Sequence, residues 1–73
     1  MNIKEIKTTA NRYADLFATD EAEFYKQHET DILLRTLEED MLIIQLANLY
    51  YACKCGIIDR KTAIEIQKEI LNW

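Results

Sequence analysis

Proline, serine and valine are absent from this chain of 73 residues, and glycine occurs once, at Gly56. Sandwiches, barrels and glycine-rich phosphate loops need turn residues every few positions, so these absences exclude them. Histidine also occurs once, at His28, and the only cysteines are Cys53 and Cys55. Two positions apart on a helix, those thiols point about 200° apart and can neither bridge each other nor grip one metal. A Cys/His metal set cannot be assembled from this inventory. No catalytic, metal-binding or cofactor-binding residue is therefore expected. The most apolar run, Met41 to Cys53, contains Gln45 and Asn48 and is shorter than the roughly 20 residues of a membrane span. With free thiols and a charged, amphipathic start at residues 1–7, the expectation is a cytoplasmic protein that meets no membrane.

What is present is a helix-forming vocabulary of Ile, Leu, Ala, Glu and Lys. The expected fold is all-α: one domain over 1–73, a bundle of three to four helices with a long central one. Ile3, Ile6, Ala10, Tyr13 and Phe17 recur by threes and fours, which predicts an amphipathic helix over 2–18. Asp20 followed by Glu23 reads as a capping box opening a second helix over 20–28. Nothing in the following residues stops a helix outright, but one helix over 20–55 would be about 54 Å long, too long for a compact bundle. The break is therefore placed near residues 27–31, with Thr30 or Asp31 as the new cap, and one long dimerising helix is the alternative. The central helix then covers 31–55. Leu33, Leu37, Met41, Ile44, Tyr51 and Cys55 form one apolar stripe on it, and Leu42, Leu46, Leu49 and Cys53 a second. Gly56 is the expected C-cap and pivot of a C-terminal hairpin whose last helix, 59–73, opens on Asp59. Ile58 and Ala63 are placed to staple that start, and Ala63, Ile66, Ile70 and Trp73 to face the core.

Thirteen acidic and nine basic residues leave a net charge of −4. One acidic cluster, Asp20, Glu21 and Glu23, suits the positive end of a helix dipole. A second polar edge, Asp31, Arg35, Glu38 and Glu39, is expected to lie on a solvated face opposite the leucine stripes. His28 is expected at the surface, and both cysteines as small buried side chains. Ala52-x-x-x-Gly56 resembles the turn of a helix-turn-helix, with Arg60 and Lys61 opening the next helix. However, Thr62 stands where a buried aliphatic belongs, and Glu65 and Glu69 oppose phosphate contacts. Nucleic-acid binding is therefore not expected from a chain with no basic stripe. The stretch from Gly56 to Leu71 also resembles the short helical hairpins that end many bacterial proteins, a likeness of helix-cap grammar that implies no function.

The expected function is protein binding without chemistry. Seven aromatics, ten isoleucines and eight leucines exceed what a bundle this small can bury, which leaves interface anchors outside. Asp31, Arg35, Glu38, Glu39, Tyr50 and Trp73 are the candidate partner-binding residues. A homodimer using the second stripe of the central helix would relieve the shortage of core. In size and charge the chain resembles small acidic phage and mobile-element inhibitors such as anti-CRISPR proteins. That resemblance implies a basic nucleic-acid-binding host enzyme as partner, met by acidic side chains. A helix-turn-helix-like regulator and a structural dimerisation domain are the alternatives.

Overall fold

The computed structural model describes residues 1–72, and Trp73 lies outside them. Four α-helices follow in order: α1, Ile3–Thr19; α2, Glu21–Asp31; α3, Leu37–Lys54; and α4, Arg60–Ile70. A short 3₁₀ turn, Ile32–Leu34, sits between α2 and α3. The fold is thus the expected all-α bundle, and α3 is its centre, packing against α1 on one side and α4 on the other.

Each helix starts on a side chain that accepts a backbone N–H. Asn2 caps α1 through Glu5 N at 2.8 Å, and Asp59 caps α4 through Thr62 N at 2.7 Å. Such caps satisfy donors that the first turn leaves without an intrahelical acceptor. Asp20 is the single residue between α1 and α2 and serves both. Its N–H donates to Leu16 O, and its carboxylate accepts from Glu23 N. The Glu23 side chain does not close the expected box; it accepts instead from Gln27 Nε2 at 3.3 Å.

The reciprocal capping box lies elsewhere, at Thr36 and Glu39, where each side chain accepts the other's backbone N–H. This relocates the break. Helix α2 runs through Gln27, His28 and Thr30 without interruption, and the chain turns at Arg35 and Thr36, both in extended conformation. Residues 31–36 therefore do not belong to the central helix. Thr30 and Asp31 were plausible caps by residue type, but Thr36 alone has its partner glutamate three residues on, where the box requires it.

At the other end Gly56 takes φ +75°, and Ile57 N–H reaches back to Ala52 O while Gly56 N–H reaches Cys53 O. This is a Schellman closure, with the glycine supplying the left-handed residue. Ile58 packs against the core cluster to which buried Ala63 belongs.

The molecule is a slab, 32 × 30 × 15 Å. A helix with its side chains is about 10–12 Å across, so most positions have cover on one side only. The core is accordingly narrow: Ile6, Ala10, Tyr13, Ala14, Phe24, Ile43, Leu46, Ala47, Leu49 and Ala63 among the described residues. Its alanines let the helix backbones approach closely. Of the two predicted stripes on α3, the second carries the core. The first opens on exposed Leu37 and Met41, and the second, placed in the core, does not offer the free face on which a homodimer is expected to form.

Candidate protein-interaction site

Ile32, Leu33 and Leu34 form the 3₁₀ turn, and Leu37 and Met41 lie one helical turn apart on the adjoining face of α3. Leu33 is 83% exposed, Leu34 82%, Leu37 72% and Met41 54%. Ile32 is 37% exposed, so five large apolar side chains between residues 32 and 41 stand in solvent. Leaving a leucine in water forgoes about 2 kcal/mol of burial. This apolar ridge is the largest departure of the molecule from ordinary surface chemistry.

Beneath the ridge the polarity is inverted. Arg35 turns inward, its side chain only 6% exposed, between Asp31 from the end of α2 and Asp40 from the first turn of α3. Its Nη2 donates to the hydroxyl of fully buried Tyr13, and that hydroxyl donates to Asp31 Oδ2 at 2.6 Å. Nη1 is 3.6 Å from Asp40 Oδ1, an ion pair without a hydrogen bond. The guanidinium also lies over the Tyr13 ring, 5.3 Å from its centroid, with Arg12 at 5.5 Å. Arg12 reaches Asp31 as well, at 3.3 Å. Burial, and then the bond to Asp31, push the Tyr13 phenol above its ordinary pKa.

His28 completes the cluster. Its Nε2 is 2.9 Å from Asp40 Oδ1, and its ring stacks on Phe24 at 5.9 Å. The surface position expected for His28 is corrected: its side chain is about three-quarters buried against α1 and α3. Arg35 is likewise not on the solvated face expected of it, since its side chain is 6% exposed inside the cluster. The reason is the extended geometry at residues 35 and 36, which turns Asp31 and Arg35 off the helical face they would otherwise share.

The remaining candidates divide. Glu38 is exposed at the edge of the ridge. Glu39 is held by the amino group of Met1 at 2.5 Å and by Thr36 N–H, which together lower its pKa to about 2. Tyr50 is half-buried, its hydroxyl donating to Gln67 Oε1 on α4, and desolvation raises its pKa. Asp20 and Glu21 are exposed and Glu23 is partly so, in the first turn of α2 and away from the ridge in sequence. Cys53 is partly buried, but Cys55 is exposed, contrary to expectation, because α3 ends before it.

The aromatic side chains form a seam between α1, α2 and α3. Phe17 meets Phe24, Tyr25 and Tyr51 edge-on, and Tyr13 meets Phe24 in the same way. The depression along this seam, about 330 Å³, is bounded by rings already packed on one another. No group of three or more Cys, His, Asp or Glu able to hold a metal occurs among the described residues, and no described helix is long and apolar enough to cross a membrane.

The ridge also has a distinctive electrostatic setting. Residues 27–53 carry five carboxylates and one cation, Arg35, whereas the rest of the chain holds eight of each sign. The whole net charge of −4 thus belongs to the segment bearing the ridge. No signal in the sequence isolates the ridge, because Leu33, Leu37 and Met41 have the spacing of a core stripe. Comparison with known proteins brings in no relative: no family model, no curated protein and no solved structure matches the chain.

Proposed function

We propose that this chain is a protein-binding module without chemistry of its own, and that the ridge of Leu33, Leu34, Leu37 and Met41 is its docking surface. The observation that carries this reading is the exposure of four large apolar side chains in one short stretch, over a rigid polar support. A standard interface buries about 800 Å² per partner, and the ridge would form the apolar centre of such a contact with charged side chains around it. The border selects the partner. Glu29 and Glu38 are exposed, and Arg12, Arg35 and the Met1 amine are already paired, the first two with Asp31 and the last with Glu39. The fitting surface is an apolar hollow bordered by lysine or arginine, such as basic nucleic-acid-binding proteins offer. On this reading an acidic inhibitor acts through the ridge, with Glu38 contributing at its border and Arg35 acting only as a support.

The test compares capture of partners from the native cell by the wild-type chain and by a Leu33→Ser, Leu37→Ser variant. Both leucines are largely solvated, so the variant should keep its helical circular dichroism and melting temperature. Retention of the partner should fall at least tenfold. Equal retention by the two proteins refutes the ridge as the docking surface.

A further inference from the structure

The far end of α3 offers the chemistry that the ridge lacks. Eighteen residues of α3 separate the two ends, about 27 Å at 1.5 Å per residue. At the C-terminal end, Ile57 is 73% exposed and Ile64 42%. Beside them a cleft of about 450 Å³ opens between α1, α3 and α4, bordered by Asn11, Lys54, Arg60, Ile64 and Gln67. Arg60 and Lys61 are exposed, and Lys54 holds Asp15 at 2.6 Å. The one carboxylate in residues 54–64, Asp59, is engaged as the cap of α4, and the Thr62 N–H it accepts lowers its pKa. Asp15 neutralises Lys54 and Glu65 is exposed beside Ile64, so what this end offers an acidic border is Arg60, at the mouth of the apolar cleft, and Lys61.

We infer that the ridge of one copy docks into the α3–α4 cleft of a second copy, so that the chain associates head to tail. The inference rests on the ridge being a docking surface and adds a second copy of the chain as an occupant, one that competes with any other basic partner for the same face. The two surfaces sit at opposite ends of one rigid helix, so a single copy cannot satisfy its own. Ridge-on-ridge pairing would instead bring Glu29 and Glu38 against their own copies, a like-charge contact that opposes assembly. Head-to-tail pairing sets Glu29 and Glu38 against Arg60 and Lys61. Because the two faces differ, each added copy leaves one of each free, and the contact can propagate or close into a ring.

The test is sedimentation velocity on the purified full chain from micromolar to millimolar concentration, with two variants. Leu34→Ser, Leu37→Ser removes the ridge, and Ile57→Ser, Arg60→Glu removes the cleft border. The wild type should gain mass with concentration, and each variant alone should stay at monomer mass. The two variants mixed should form a species of twice that mass, because one intact ridge and one intact cleft remain. A wild type that is monomeric throughout overturns the inference, and so does a cleft variant that still self-associates alone. Either result leaves the ridge reading standing, since that falls only if the ridge variant keeps its captured partner. Should either variant lose its helical signal, Glu38→Lys and Arg60→Glu replace them. Both alter exposed side chains, and each variant alone should stay at monomer mass. The mixture should gain mass with concentration, because Glu38 of one variant then meets Arg60 of the other and the introduced lysine meets the introduced glutamate.

Discussion

The chain interrupts its helices in two contrasting ways on either side of α3. At Gly56 the break is local: one residue with positive φ, two backbone hydrogen bonds and a cap on Asp59 complete it. At Arg35 there is no glycine and no proline. The turn is held from inside, by a guanidinium that ties Asp31 before it to Asp40 after it and to Tyr13 on another helix. The first break needs only its own residues, whereas the second exists only when the tertiary structure does. Turning Arg35 inward also turns Leu33, Leu34 and Leu37 outward, so the buried charge and the exposed ridge are two results of one backbone geometry.

If that contrast is correct, the two breaks respond very differently to single substitutions. Arg35→Ala should be the most damaging, because it removes the buried cation between Asp31 and Asp40, leaving Asp31 with Arg12 and Tyr13 and Asp40 with His28 alone. Removing one side of a buried pair costs about 3–5 kcal/mol, a large part of what a small domain has. The thermal midpoint by circular dichroism should fall by more than about 12 °C. A loss below about 1 kcal/mol would mean that the Thr36 capping box alone makes the turn. Gly56→Ala should be milder. A Cβ there meets nothing within 4 Å, so the cost is the left-handed backbone alone, about 1–2 kcal/mol. Chemical denaturation should show that loss with an unchanged slope.

The smallest effect expected is on pH. Glu39 beside the second break and Asp59 beside the first both have carboxyl pKa values below their ordinary ones. A group whose folded pKa is depressed contributes stability above its unfolded value and loses it as the pH falls through the folded one. Starting from ordinary values of 4.5 and 3.8, both contributions should be complete above about pH 5 and fade towards pH 2. Glu39→Gln should flatten part of that acid limb in a pH series of melts. An unchanged limb would remove Glu39 from the account.

Much of the architecture was legible where the determinants are close in sequence. The 3–4 spacing of Ile6, Ala10 and Tyr13 marks the buried face of α1, and Asp59 and Gly56 mark their turn by residue type alone. The break at Arg35 has a local mark, Thr36 with Glu39 three residues on, but the tyrosine 22 positions away that holds it from inside has none. Asp31 and Arg35 have the i, i+4 spacing of an ordinary surface pair, and His28 shows no neighbour in sequence that would draw it in. The ridge escaped for a related reason. Spacing says which side chains share a face, while thickness decides whether that face is covered, and a slab of 15 Å covers few of them. Glu38 was placed correctly at the surface, but its significance comes from the leucines beside it.

Asp20 has a consequence of another kind. It ends α1 through its backbone and begins α2 through its side chain, so the two helices share one residue with no slack between them. Adding or deleting a residue there would change the phase of α2 by about 100° relative to α1. Phe24 would swing away from Tyr13 and Phe17, and His28 from Asp40. Substitutions on α2 are therefore free to drift wherever the side chain is solvated, but changes of length at this corner are not. Related chains with this architecture should differ in length at their ends or in the loop at residues 55–59, and keep a single-residue joint between the first two helices.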